Sequence, residues 1–168
     1  MIKTIIFDLN GVIINDEKYH QEAWRKFCHN HKLNYNKEIF SGRTEKEILA
    51  YLFGKLTQKE FGKYSNERTK IAVNLDRRNL NLISVPNLER TLKQLIDGGF
   101  KLAIATSARR NYTNFILRLL NVSSYFNTII TADDITKGKP DPDIYIKTAK
   151  LLNTSPLNCI VIEDTPSG

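Results

Sequence analysis

The sequence predicts an α/β protein with helices on both faces of a parallel sheet. Four short apolar segments have the composition of buried strands, and helical segments alternate with them. Polar or acidic residues follow three of these strands directly. Strands that alternate with helices are joined by right-handed crossovers into a parallel sheet, and ligands bind at its carboxyl edge.

The first predicted strand, Ile2 to Leu9, contains the near-continuous apolar run of a central parallel strand. Asp8 lies at its carboxyl end and is therefore a candidate nucleophile or metal ligand. Gly11 lets the chain turn and brings backbone N–H groups close to whatever Asp8 faces. The alternative interpretation is a turn aspartate followed by an Asn-Gly pair.

The segment from Asp16 to about Ile83 shows no convincing strand pattern and is predicted to be a helical insert that forms a second small domain. Thr44 and Glu47 have the spacing of a capping box. The loop at 41–44 either faces the ligand crevice or is an ordinary turn between helices. Helices are predicted after Asn15 or Asp16, over Thr44–Leu52, over Thr57–Tyr64 and over Asn66–Asn79.

The alternation of strands and helices resumes after this insert. Strands are predicted over Phe100–Ala105, Thr128–Thr131 and Cys159–Ile162, and helices over Asn87–Asp97, over Arg109–Leu120 and after Pro140. The fourth strand, Cys159–Ile162, is predicted to be buried because all four of its residues are apolar.

Three strand ends carry polar groups that should meet at one edge of the sheet. The hydroxyls of Thr106 and Ser107 suit a phosphate site, although Ser107 equally suits a helix cap. Lys139 precedes Pro140 and is either a phosphate counter-charge or a solvated loop lysine. The acidic pair Glu163-Asp164 ends the fourth strand, and together with Asp8 it predicts a Mg²⁺ and phosphate site.

Composition restricts the class of protein further. The 168 residues indicate one domain, or one domain with a modest insert, and the net charge of +7 favours anionic partners. The basic residues are dispersed, so we expect no nucleic-acid partner. Cys28 and Cys159 are predicted to be free thiols of a cytoplasmic chain. Asp8 interrupts the apolar N-terminus, which therefore resembles neither a signal peptide nor a membrane span.

Four motifs in this order make the chain resemble the haloacid dehalogenase (HAD) superfamily, in particular its β-phosphoglucomutase-like phosphatases and mutases. They are Asp8-Leu9-Asn10-Gly11-Val12, Thr106-Ser107, Gly138-Lys139-Pro140 and the segment 163–168. The resemblance implies a Rossmann-like doubly wound core over 1–15 and 84–168, with an all-helical cap over 16–83. The chain stops soon after the fourth motif, so the C-terminal part of that core is expected to be missing.

The resemblance also implies roles for individual residues. Asp8 would attack the substrate phosphorus and become a phospho-aspartate. Mg²⁺ would be held by Asp8, the backbone carbonyl of Asn10 and Asp164, with Glu163 nearby. Thr106 and Lys139 would hold the transferring phosphoryl group. The candidate substrate-binding residues are Gly11, Ser107, His20, Arg43, Thr44 and Arg68.

Asn10 departs from the pattern of the family, which has an aspartate two residues after the nucleophile. That aspartate protonates the leaving alcohol and activates water, whereas an amide does neither. General acid–base catalysis contributes about 10²–10⁴-fold, so turnover should fall by about that factor unless another group substitutes. His20 is the nearest candidate in the sequence.

The predicted function is therefore that of a Mg²⁺-dependent HAD-type phosphatase, a phosphoric monoester hydrolase. Its substrate would be a small phosphorylated metabolite such as a sugar phosphate, and we expect a monomer with no membrane partner. One alternative is a slow or non-catalytic protein that binds phosphate ligands, which Asn10 favours. A phosphomutase is a further alternative, although it needs the acid–base aspartate in both half-reactions.

Overall fold

A four-stranded parallel sheet frames the chain in the computed structural model, which describes residues 1–40 and 44–166. The sheet confirms the predicted α/β class. Its central strand β1 places Phe7 beside Ile104 on one side and Ile162 on the other, so residue 8 leaves the sheet between two neighbouring strand ends. The strands are β1 (Thr4–Phe7), β2 (Lys101–Ala105), β3 (Thr128–Ile130) and β4 (Cys159–Ile162), in the order β3-β2-β1-β4.

Helices connect the strands and make up most of the rest of the described chain. They are α1 (Glu17–Asn30), α2 (Lys37–Phe40), α3 (Glu45–Phe53), α4 (Gln58–Arg78), α5 (Leu80–Ile83), α6 (Leu88–Asp97), α7 (Arg110–Leu119) and α8 (Asp143–Leu151). Short 3₁₀ turns lie at Ser123–Tyr125, Ala132–Asp134 and Pro156–Asn158.

Two expectations about these elements were wrong. The predicted helices Thr57–Tyr64 and Asn66–Asn79 form the single helix α4, because Ser65 is buried and donates its hydroxyl to Glu45 across the packed helices instead of ending a helix. Strand β4 is not buried: Ile160, Val161 and Ile162 are exposed, because β4 is the outer strand of the described sheet.

The chain divides into two compact units, Met1–Asp16 with Leu80–Gly168 and Glu17–Asn79. The first contains the sheet, and its core includes Ile6, Ala103 and Ile144. The insert was predicted over 16–83, and its role as a cap remains a prediction. In the described ranges, no helix has both the length and the apolar character needed to cross a membrane.

The second unit has an aromatic core of its own, centred on Phe27 of α1. Phe27 is fully buried and makes edge contacts with Trp24 and Tyr64, at ring-centroid distances of 5.6 and 6.2 Å. Edge-to-face aromatic pairs add stabilisation beyond that of the buried area. Phe27 is therefore a central member of the buried cluster of this unit.

We expect Phe27→Ala to lower the free energy of unfolding by about 3–5 kcal/mol, because it removes a buried ring and leaves a cavity. Urea unfolding followed by circular dichroism measures the loss. Leu157→Ala is the control, since Leu157 is 89% exposed and its truncation should change stability by no more than about 0.5 kcal/mol. Equal midpoints for the two variants would contradict this assignment of the core.

Candidate active site

Asp8 is a buried carboxylate at the carboxyl end of the central strand. Its backbone N–H donates to the carbonyl of Ile162 at 2.9 Å, which ties the end of β1 to the end of β4. The residue is only 6% exposed, and burial raises the pKa of its carboxyl group to about 6 although Lys139 lies beside it. The predicted strand-end position of Asp8 is thus what the structure shows.

Lys139 joins Asp8 to Glu163. Its Nζ donates to Asp8 Oδ1 at 2.7 Å and to Glu163 Oε2 at 2.5 Å, and its side chain is 7% exposed. Burial alone would lower the pKa of this ammonium group, but the Asp8 charge and the hydrogen bonds to both carboxylates raise it above its ordinary value. Lys139 is therefore a fixed positive charge in the site, in contrast to the solvated lysine of the alternative interpretation.

Glu163 is held by three donors from three parts of the chain. Besides Lys139, the hydroxyl of Tyr145 donates to Oε2 at 3.1 Å, and the hydroxyl of Thr165 donates to Oε1 at 2.9 Å. Burial favours a higher pKa for Glu163, but the hydrogen bonds from Lys139 and Thr165 bring it below its ordinary value. Sequence reasoning missed Tyr145, whose one signal was its place on the helix that follows Lys139.

Three carboxylates converge at this edge of the sheet. Asp8, Glu163 and Asp164 each offer an oxygen atom, and these atoms lie within 4.8 Å of one another. Partial burial and the nearby charge of Glu163 raise the pKa of Asp164. With Lys139 as the neighbouring ammonium group, two negative charges stay uncompensated when all three carboxylates are ionised. A cluster of hard oxygen donors with that charge fits a divalent cation such as Mg²⁺.

Gly11 permits the close approach of two loops. It has a φ of +78°, and a Cβ atom on it would lie 2.1 Å from Asp164 Oδ2. The turn is fixed by backbone hydrogen bonds, in which Gly11 donates to the carbonyl of Ile14 and Ile13 donates to that of Leu9. Only glycine accommodates both this left-handed conformation and the contact with Asp164.

The side chain of Asn10 is hydrogen-bonded to another buried carboxylate. Its Nδ2 donates to Asp16 Oδ2 at 2.6 Å, and the hydroxyl of Tyr112 donates to the same oxygen at 2.7 Å. Asp16 and Tyr112 are both buried. The sequence marked Asp16 only as a residue at the start of a predicted helix and gave no sign of this contact.

Thr106 and Ser107 follow β2, the strand beside β1. Thr106 is buried; its N–H donates to the carbonyl of Ile130, and its Oγ1 accepts from the N–H of Ala108 at 3.1 Å. Ser107 is exposed. It does not cap the next helix, because the N-cap of α7 is Arg109. The hydroxyl of Ser107 therefore makes none of the capping contacts that the sequence suggested.

The remaining candidates belong to the second unit. Thr44 caps α3 in a complete capping box with Glu47, as its spacing predicted. Arg68 is buried, contacts His20 Nδ1 through its guanidinium group at 2.6 Å, and lies over the ring of Trp24. The structure thus brings two predicted substrate residues, His20 and Arg68, together. Arg43 lies outside the described residues.

Comparisons with known proteins place the chain in a family. A family model described as haloacid dehalogenase-like hydrolase matches residues 5–168. Validoxylamine A 7'-phosphate phosphatase of Streptomyces hygroscopicus subsp. limoneus is 32% identical to it, over 100% of this chain and 79% of its own length. β-Phosphoglucomutase of Bacillus subtilis is 32% identical, over 99% of this chain and 77% of its own length.

A solved structure agrees with these relatives. The crystal structure of a β-phosphoglucomutase from Clostridium difficile matches with a TM-score of 0.85 at 29% identity, over 100% of this chain and 78% of that one. The chain belongs to the haloacid dehalogenase-like hydrolases. The resemblance to their β-phosphoglucomutase-like members, first seen in four short motifs, is confirmed.

We expect Gly11→Ala to weaken Mg²⁺ binding strongly, because the new Cβ would displace the Asp164 carboxylate. Isothermal titration with MgCl₂ measures the affinity, and thermal melting measures stability. Gly54→Ala is the control: Gly54 has a φ of +76° with open space around it, so that variant has backbone strain, about 1–3 kcal/mol, without the clash. Equal Mg²⁺ affinities for the two variants would contradict this account of Gly11.

Proposed function

We propose that the protein is a Mg²⁺-dependent phosphatase that acts through Asp8 on a small phosphorylated metabolite. The observation that carries the proposal is the convergence of three carboxylates, two of which contact Lys139. Phosphoryl transfer needs mainly positioning and charge neutralisation, and a cluster of this kind supplies both.

The relatives support a phosphorylated carbohydrate as the substrate class. Two of them are named as a validoxylamine A 7'-phosphate phosphatase and a β-phosphoglucomutase. A third, from Thermotoga maritima, is named a phosphorylated carbohydrates phosphatase and is 30% identical over 99% of this chain. We extend their shared chemistry, the monophosphate ester of a sugar or sugar-like alcohol, to this chain.

The residues that would hold Mg²⁺ are Asp8, Asp164 and the backbone carbonyl of Asn10, with Glu163 beside them. The fit rests on the clustered oxygens and on the close contact between Gly11 and Asp164. When bound, the cation would offset the negative charge of the phosphoryl group and of the carboxylates around it.

In the proposed reaction, a carboxylate oxygen of Asp8 attacks phosphorus while the bond from phosphorus to the leaving alcohol oxygen breaks. Lys139 holds Asp8 in place, favours its ionised form and faces the phosphoryl charge. The buried Thr106 would hold a phosphoryl oxygen, with Ser107 beside it. Water then attacks phosphorus, the bond to Asp8 breaks, and phosphate leaves with the carboxylate regenerated.

The departing alkoxide needs a proton, and Asn10 has no acidic proton to give. In our proposal the proton comes from water, which makes the step slow for poor leaving groups. His20 was the substitute suggested by the sequence, and that role remains a prediction.

A second candidate function is the binding of a phosphate ligand without turnover. It is favoured by the hydrogen bond from the Asn10 amide to Asp16, because the NH₂ group that donates this bond is directed to Asp16. Binding needs the cation, Lys139 and Thr106, but no acid–base group. A phosphomutase is less favoured, since it needs proton transfer in both half-reactions.

Phosphate release from an aryl phosphate tests the proposal. We expect the native protein to release phosphate with MgCl₂ and to lose this activity with a chelator. Asp8→Asn should abolish release, because an amide is no nucleophile. Asp97→Asn is the matched control on the exposed end of α6 and should behave like the native protein.

Two results would contradict the proposal, one of them its turnover and the other its nucleophile. Binding of inorganic phosphate that needs Mg²⁺, without phosphate release, would select the second candidate function. Release that persists in Asp8→Asn would overturn the assignment of Asp8 as the nucleophile.

A further inference from the structure

We propose that Asp16 is a positioning residue that fixes the side chain of Asn10, with Tyr112 holding Asp16 in turn. The side chain of Asn10 would then present only its amide oxygen, Oδ1, to the reacting groups. The inference rests on the proposed phosphatase function and assigns a part in that site to a residue outside the four motifs.

The contacts have a definite direction. Asp16 Oδ2 accepts from Asn10 Nδ2 at 2.6 Å and from the Tyr112 hydroxyl at 2.7 Å. Because Oδ2 of Asp16 is the acceptor in both bonds, the amide turns its NH₂ group toward Asp16 and its Oδ1 away. Asp16 is fully buried, so leaving either hydrogen-bond partner unsatisfied would be costly. The orientation of the amide is therefore determined by its partner.

The backbone around the pair is equally fixed. Asn10 pairs with Ile14 as an isolated bridge, and the N–H of Asn15 donates to the carbonyl of Ile83 at 2.9 Å. Tyr112 comes from α7, the helix that follows Thr106, so the contact links the loop after β1 to the helix after β2. All of these residues belong to the unit that contains Asp8.

Asn10 and Asp16 thus form a matched donor and acceptor. Asn10→Asp alone would set two carboxylate groups face to face and would remove the amide donor to Asp16. Exchanging the two, as in the double variant Asn10→Asp with Asp16→Asn, restores a donor opposite an acceptor. It also gives residue 10 a carboxyl group that is oriented and able to transfer a proton.

The consequence for the reaction is specific. In the native protein, residue 10 accepts a hydrogen bond from an attacking water but donates no proton to a leaving group. The protein should therefore favour esters with good leaving groups over sugar phosphates. The exchanged pair should shift that preference toward sugar phosphates.

A double-mutant cycle tests the inference. The native protein, Asn10→Asp, Asp16→Asn and the double variant are compared by thermal melting and by kcat for an aryl phosphate and a hexose phosphate, with MgCl₂ present. We expect Asn10→Asp to melt lowest and the double variant to recover at least half of that loss. We also expect the kcat ratio, hexose phosphate to aryl phosphate, to rise by about tenfold or more in the double variant above both the native protein and Asn10→Asp.

Tyr112→Phe provides an independent arm, because it removes one donor to Asp16 and leaves the pair of side chains in place. In the Tyr112→Phe background, the double variant should recover a smaller share of the melting temperature that Asn10→Asp loses. Tyr125→Phe is its matched control, since the Tyr125 hydroxyl donates to the exposed carboxylate of Glu89 at 3.0 Å.

Equal melting temperatures for Asn10→Asp and the double variant would overturn the inference. Recovery of stability without any change in the kcat ratio would also overturn it, since Asp16 would then have a structural role alone. Recovery of stability with no turnover in any of the four proteins would refute the proposed phosphatase function while leaving the pairing of Asn10 and Asp16 supported.

Discussion

The buried ammonium group of Lys139 is the interaction on which the site depends. It joins Asp8 after β1 to Glu163 after β4, and it comes from the segment before α8. Buried charges are costly to desolvate, so this lysine is tolerated only because carboxylates surround it. Removing Lys139 would leave the buried carboxylates of Asp8 and Glu163 as neighbouring like charges without their shared counter-charge. The three segments are therefore positioned together.

That constraint explains the residues around the cluster. Tyr145 and Thr165 donate to Glu163 and orient it toward Lys139. Gly11 lets the loop after β1 reach Asp164 without a side chain between them. Because one ammonium group contacts two members of a cluster of three carboxylates, the site retains negative charge that a divalent cation would balance. The same cation would let a phosphate ester approach Asp8 in spite of the neighbouring carboxylates.

The sequence predicted the parts of the molecule that follow from periodicity and topology. Parallel strands end at one edge, so Asp8 and Glu163 were expected to meet, and the structure brings them together. Local signals were enough for the capping box at Thr44 but misplaced a helix end near Ser65, where packing against Glu45 decides. The prediction that β4 is buried was wrong for a related reason. An apolar strand is buried only when another strand or a helix covers it.

Contacts that depend on the direction of a side chain could not be predicted from the sequence. Tyr145 contacts Glu163 only because α8 presents that face to the site. The contact of Asp16 with Asn10 and Tyr112 joins residues 96 positions apart in the chain. No spacing rule indicates such a pair. The unusual Asn10 was visible in the sequence, but the partner that determines its orientation was not.

Direct detection of a phosphorylated Asp8 tests the central claim. The protein would be mixed with an aryl phosphate and MgCl₂, quenched in acid within the first turnover, digested and analysed by tandem mass spectrometry. Our account predicts a phosphoryl group on the Asp8 side chain that disappears as free phosphate accumulates. Phosphate release with Asp8 unmodified throughout, or with the phosphoryl group on another residue, would contradict it.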